Sequence, residues 1–260
     1  MDELIRYYFN WGILQDTIPE LLKAVVVVIE LLFFGLLFSF ILGLLISLMR
    51  ISRMRILRWL AAIYIDFFRG LPLLLLLTFI YYGLGLVGSQ IGWRFLILDP
   101  IPAAVLALTL CYAAYSAEIF RAGIQSIHHG QLEAARSLGM TYGQAMRFVI
   151  LPQAVRIVVP PLTNELIAMI KDTALASVIT TPEILFKARE IMGVRANPTP
   201  LTAAAIVYLA FTLPLIRVAA RMENRGGRRK QGRGNGGGKG DPAPAAEQDL
   251  HTADVAGQLP

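Results

Sequence analysis

Glu165 and Asp172 are separated by seven positions inside a long apolar run, two turns of an α-helix, so their carboxylates stand on one face. Asn164 and Lys171 form a neighbouring stripe on the same segment. A charge in apolar sequence of membrane-spanning length costs several kcal/mol unless it is paired or hydrated, which makes each such residue a candidate for function. The carboxylate face is therefore expected to line an internal cavity. An alternative stays open, in which Lys171 and Asp172 satisfy groups on neighbouring helices. Glu118 stands three residues before Arg121, the spacing of a local ion pair. Asp66 and Arg69 share that spacing beside a helix-breaking Gly70-Leu71-Pro72 step, where a pair could support a hinge. Glu30 is a further intramembrane carboxylate with less context.

Several other chemistries have no candidate residues. No GxxxxGK[ST] phosphate loop occurs: Gly236-Gly237-Gly238-Lys239 has Arg233 where the first glycine belongs and Gly240 where magnesium needs Ser or Thr. His128 and His129 are adjacent rather than four apart, and neither an HExxH nor a nucleophile-elbow pattern is found, so no metal or cofactor is expected. The single cysteine, Cys111, lies in apolar sequence and offers neither a disulfide framework nor a cysteine metal cluster.

The elements that position these residues follow from composition. The 260 residues are 56% hydrophobic and 16% charged, with a mean hydropathy of +0.59 and a formal charge of +6. A soluble domain carries about 25% charged residues, so this chain cannot cover itself for water. Disordered and nucleic-acid-coating proteins are excluded as well. Five apolar segments approach or exceed the roughly 20 residues a helix needs to cross the hydrocarbon core: 24–49, about 60–86, 101–120, about 158–180 and 201–218. The fold class is therefore an all-α membrane protein of about five transmembrane helices. Lys and Arg number four, four and eight in segments 50–58, 121–156 and 217–239, against one, one and three in 1–20, 85–100 and 181–200. Because cytoplasmic loops retain positive charge, this bias places the N-terminus outside and the C-terminus in the cytoplasm. Trp11, Trp59 and Trp93 fall near expected span ends. From Asn224 the composition turns to Gly, Arg, Pro and Ala with no aromatic residue, and 224–260 is expected to be a disordered tail whose basic first half could hold anionic lipid.

The loop between the third and fourth spans, about 123–155, carries the most specific signal. Leu132 to Leu138 is helix-forming, and Gly139 suits the left-handed position that closes a helix. Thr141 followed by Gln144 is a capping box opening a second short helix, with Pro152 expected at its end. Ala134 and Ala135 leave a small-residue face on which another protein could approach. Such a helix pair suits docking into a partner's groove.

Glu133-Ala134-Ala135, Gly139 and Leu151-Pro152 match in identity and spacing the cytoplasmic signature of the inner-membrane permease subunits of ATP-binding-cassette importers, which this sequence resembles; Val149 replaces the usual Ile. Phe68-Arg69-Gly70-Leu71-Pro72-Leu73, Ala117 to Ile124 and Lys171 to Leu175 look like segments of the polar amino-acid branch, the histidine/glutamine/arginine type. Leu71 departs from that branch's Thr, and His128 stands where Pro is more usual. The resemblance covers roughly residues 12 to 220.

It implies a periplasmic segment 1–20, a permease domain 21–223 in the bacterial inner membrane, and a loop that seats a coupling helix in the cleft of an ATPase. Gly130, Glu133, Ala134, Ala135, Gly139, Leu151 and Pro152 would then couple to the ATPase. Asp172 and Glu165, with Lys171 and Asn164 beside them, would line the substrate pathway. A zwitterionic amino acid could offer its ammonium to the carboxylates and its carboxylate to helix N-termini or backbone amides. The implied partners are separate ATPase subunits, a periplasmic or lipid-anchored amino-acid-binding protein, and a second permease, identical or related. The chain itself would make no chemical bond. The rival reading is an ion-coupled secondary transporter using Glu118, Glu165 or Asp172 as proton relays; five spans without an inverted repeat weigh against it.

Overall fold

The computed structural model describes residues 7–234, with side chains to Arg221. Regular structure among them is entirely helical. Helix α1 is Trp11–Ile51, α2 is Arg55–Gly70, and α3 is Leu73–Thr78, which a π-turn at Phe79–Gly83 carries into α4, Leu84–Ile91. A short 3-10 turn, Arg94–Leu96, precedes α5, Pro100–Gln125. Next come α6, His129–Ser137, and α7, Tyr142–Ala145, which continues through a π-turn at Met146–Ile150 into α8, Leu151–Asp172. A 3-10 stretch, Thr173–Ile179, leads to α9, Ile184–Arg195, and α10, Thr199–Gly234.

Five stretches are long and apolar enough to cross a membrane: Trp11–Ile51, Leu73–Ile91, Pro100–Gln125, Tyr142–Ile179 and Thr199–Arg221. The span on α5 is 61% buried against 22–28% for the other four, so the bundle is built around α5. The sequence explains why. Ala103, Ala104, Ala107, Ala113, Ala114 and Ala117 are all fully buried. In lipid there is no hydrophobic drive between helices, and small residues promote association by letting backbones approach. On α1, Gly43 serves the same purpose: a Cβ there would stand 2.9 Å from Ser116 Cβ and 3.0 Å from the Ala113 carbonyl oxygen. Leu31 of α1, Leu77 of α3, Leu108 of α5 and Met169 of α8 then fill one apolar cluster.

Several element boundaries differ from the sequence expectation. The first membrane-spanning helix begins at Trp11, capped by the Asn10 side chain on the Ile13 amide, so residues 11–20 of the expected 1–20 segment belong to it. Asp16, Glu20 and Lys23 make that half read as polar, but Leu21, Ala24 and Val25 pack against Ile184, Ala188 and Ala203, and this tertiary contact carries the helix through. The span expected at 60–86 is two helices. Proline disfavours helical backbone in the residue before it, and Leu71 is extended at φ −92°, ψ 128°, so α2 stops at Gly70 and α3 starts at Leu73.

Pro152 does not end a helix. It lies in the first turn of α8, and the preceding π-turn absorbs its missing amide: the Leu151 N–H bonds to the Met146 carbonyl, and Gln153 Nε2 donates to the Val149 carbonyl at 2.8 Å. The fourth span is accordingly continuous from Tyr142 rather than from 158. At the C-terminal end α10 runs to Gly234, past Asn224, where a disordered tail was expected. Residues 235–260 of that tail lie outside the described residues.

Candidate substrate pocket and loop

The Gly70-Leu71-Pro72 break opens a pocket of about 560 Å³ between α2, α3, α5 and α8. Irregular backbone inside a bundle is tolerated where it lines a cavity, because its amides and carbonyls lack helical partners. Gly70 to Leu73 form one wall. Cys111, Tyr112 and Tyr115 of α5 form the second, and Glu165, Ala168, Asp172 and Leu175 the third. The last four recur every three or four residues, which is one face of a helix. Tyr112 is near the midpoint of α5, so the break lies at mid-height of that helix.

Three charges meet there. The Tyr112 hydroxyl donates to Asp172 Oδ2 at 2.8 Å. The Arg69 guanidinium lies 5.4 Å from the centre of the Tyr115 ring, a cation–π contact that holds it at the pocket wall. Glu165 feels both the guanidinium of Arg69 and the carboxylate of Asp172, yet among the described residues it makes no hydrogen bond or ion pair. The arrangement offers one guanidinium and two carboxyl groups around a polar break in an apolar bundle.

Asp172 and Glu165 are thus brought together as their spacing predicted. Lys171 and Asn164 are not in this pocket; each precedes its carboxylate by one residue, a rotation of about 100° around the helix, and both are exposed. Arg69 pairs with Tyr115 rather than Asp66, which is exposed and in no ion pair among the described residues. Glu118 and Arg121 form the expected local pair at 2.6 Å. Glu30 lies apart from the pocket. Sequence reasoning missed Tyr112, Tyr115 and the pocket position of Arg69; two tyrosines three apart on an otherwise apolar segment were the available signal.

It also missed Glu183, which is completely buried although it lies outside the five spans. Its carboxylate caps α9 by accepting from the Leu185 and Phe186 amides at 2.9 and 2.6 Å, and takes the Tyr208 hydroxyl of α10 at 2.5 Å. Burial pushes this carboxyl above its ordinary value, against the hydrogen bonds from Tyr208 and the two amides, which lower it.

The loop between α5 and α8 has the expected caps. His128 Nδ1 accepts from the Gly130 amide and opens α6. Gly139 has φ +82°, the Met140 amide bonds to the Ala135 carbonyl and the Gly139 amide to the Arg136 carbonyl, which together make a Schellman close. Thr141 and Gln144 form the capping box. Glu133, Ala134 and Gly139 are exposed, whereas Ala135 is buried, so the two alanines do not share an outer face. Leu151 and Pro152 are exposed on the first turn of α8.

Residues 35–226 match the family profile described as binding-protein-dependent transport system inner membrane component. The chain belongs to this family. Its similar relatives include the probable amino-acid ABC transporter permease protein YckA of Bacillus subtilis, 37% identical over 220 residues that make up 84% of this chain and 92% of that one. The probable amino-acid ABC transporter permease protein PatM of Vibrio harveyi is 41% identical, over 81% of this chain and 93% of its own. A solved structure described as an amino acid ABC transporter with histidines superposes with a TM-score of 0.71 at 37% identity, covering 80% of this chain and 94% of that chain. An inward-facing MetNI methionine ABC transporter shares the fold, with a TM-score of 0.59 at 20% identity over 81% of this chain and 94% of that chain. As a binding-protein-dependent inner-membrane component, the protein is a multi-pass permease of the ATP-binding-cassette importer class.

Proposed function

We propose that this chain is the transmembrane permease subunit of an ATP-driven importer for polar amino acids. The observation that carries the reading is the pocket that joins Arg69, Glu165 and Asp172 at a helix break within the bundle. A zwitterion fits this arrangement: its carboxylate meets the Arg69 guanidinium and the open amides at the start of α3, and its ammonium meets a carboxylate of α8. Relatives named as amino-acid permeases, among them one for arginine, support the same substrate class.

The N-terminus lies outside and the C-terminus in the cytoplasm, on the strength of the Lys and Arg asymmetry. Helix α6 is then the cytoplasmic coupling helix, presenting Glu133, Ala134 and Gly139 to the cleft of a separate ATPase, while Ala135 fastens it to the permease. Gly130, Leu151 and Pro152 frame the two ends of this docking loop. Closure of two ATPases moves α6 and, across the Gly139 turn, the span that runs from α7 into α8. That span carries Glu165 and Asp172, so ATPase closure and ligand contacts bias the same two states of the pocket. A binding protein delivers substrate on the outer side, and a second permease completes the pathway.

Asp172→Ala tests the reading. ATP-driven uptake is expected to fall at least tenfold while the complex still assembles; unchanged uptake kinetics would remove the pocket from the pathway.

A further inference from the structure

We infer that the end of α1 and the start of α2 form a binding site for an anionic phospholipid, its headgroup on a cluster of arginines and an acyl chain on the open face of α2. The substrate pocket takes no part in it. Arg50, Arg53, Arg55 and Arg58 fall within residues 50–58, which contain no Asp or Glu. None of the four is in an ion pair or a side-chain hydrogen bond among the described residues. The one carboxylate on α2, Asp66, stands eight residues beyond Arg58, about 12 Å along the helix. Arg50 Nε is buried and has no acceptor among the described residues, which is costly for a donor on a charged group.

The start of α2 has the same unmet demand. A helix N-terminus carries partial positive charge that acidic side chains ordinarily offset. Here the first turn holds arginine and no acid, and no side chain caps it. A phosphate group supplies the negative charge and the acceptor oxygens that the arginines and the open amides lack.

The neighbouring apolar face distinguishes a lipid from a free anion. Ala61 and Ile65 hold one side of α2 against Ile46 of α1 and Ala113 and Ala117 of α5. Ile56, Trp59, Leu60, Ile63 and Phe67 recur at helical spacing on another side, and all are exposed, Ile56 by 70% and Trp59 by 66%. From Ile56 to Phe67 the helix rises about 16 Å, and one leaflet contributes about 15 Å of hydrocarbon. The stripe therefore has the length of one acyl layer and begins at the arginines, with Trp59 at the boundary where indoles favour the headgroup region. Inorganic phosphate would leave the stripe uncovered, and a neutral lipid would leave the arginines unmatched. An anionic phospholipid satisfies both. Orientation in the membrane accounts for positive charge in this turn, but not for the uncapped helix start or for a stripe of one-leaflet length beside it.

The test uses the full-length chain in phosphatidylcholine vesicles, with Trp11→Phe and Trp93→Phe leaving Trp59 as its single tryptophan. Quenching of Trp59 fluorescence by dibrominated phosphatidylglycerol, and separately by dibrominated phosphatidylcholine, reads which lipid occupies the site. The basic segment from Arg225 to Lys239 has no tryptophan and stays silent. Monodispersity of each variant before reconstitution is the control for folding. Phosphatidylglycerol is expected to bind at least about fivefold more tightly than phosphatidylcholine, since each arginine near a membrane surface contributes a factor of roughly five. Arg55→Gln with Arg58→Gln should bring the ratio below about twofold while quenching by phosphatidylcholine is unchanged. Arg55→Lys with Arg58→Lys keeps the charge and should retain most of the preference. Equal binding of the two lipids by wild type, a preference that survives the glutamine pair, or a lysine pair as deficient as the glutamine pair would overturn the headgroup site. Quenching by neither lipid would mean that protein covers the stripe and would overturn the acyl half. A preference abolished by inorganic phosphate at constant ionic strength would replace the lipid with a free anion.

Discussion

Glu183 and Gly139 show how much one residue can fix. Glu183→Ala removes a cap from α9 and strips a buried Tyr208 hydroxyl of its acceptor; unsatisfied buried groups and lost caps predict a loss of about 2–4 kcal/mol, read as a lower Tm of the purified chain. Glu183→Gln keeps an acceptor and should lose less. Its pH dependence has a defined sign. The folded carboxyl is raised above its ordinary 4.5, so the folded state holds the proton more tightly than the unfolded one. That contribution to stability is present in acid and is lost as pH rises from 4.5 through the folded value. The Tm advantage of wild type over Glu183→Gln should therefore shrink between acid and neutral pH; a constant difference would contradict it. Gly139→Val would force a β-branched residue to φ +82°, a conformation costing roughly 1–2 kcal/mol or more for such a side chain, and should weaken ATPase association in pull-down at unchanged expression. Gly139 and the Glu165–Asp172 face were legible because each is a local rule, a backbone angle and a helical period. Arg69 on Tyr115 and the burial of Glu183 join elements far apart in sequence, and no local period reports them.

The elements explain why a pocket exists at all. Proline at position 72 prevents α2 and α3 from merging, and the residues around the break become the pocket wall. Pro72→Ala should allow helix to propagate across the gap and turn Arg69 away from Tyr115. Amino-acid affinity is expected to drop more than tenfold with assembly retained, measured as radioligand binding to the intact permease–ATPase complex; unchanged affinity would mean that the break does not position Arg69. Gly43→Val places side-chain atoms against the Ala113 carbonyl oxygen and Ser116, an overpacking cost of about 1–3 kcal/mol that should lower the Tm of the detergent-solubilised chain. The apolar cores of the five spans were readable from the sequence. Their ends were not, because α1 is extended by packing on α9 and α10, and because π-turn geometry lets a helix pass through Pro152 where sequence rules place a stop.

At the scale of the molecule, the family assignment and the charge asymmetry join the pocket and the loop in one machine. Helix α7 is continuous through the Met146–Ile150 π-turn with the helix that carries Glu165 and Asp172, so a push on α6, passed across the Gly139 turn, would reach the pocket walls through α8. The expectation of a docking loop rests on six identities at fixed spacing, of which all but the buried Ala135 are exposed. The measurement that tests this account most directly is co-purification of the tagged chain from gently solubilised membranes, comparing wild type with Glu133→Arg and identifying companions by mass. Glu133 is exposed on α6, so its reversal should spare the permease fold. An ATPase subunit is expected to accompany wild type and to be lost from the variant. Absence of any ATPase from wild type, together with uptake by the isolated chain driven by a proton gradient, would contradict it.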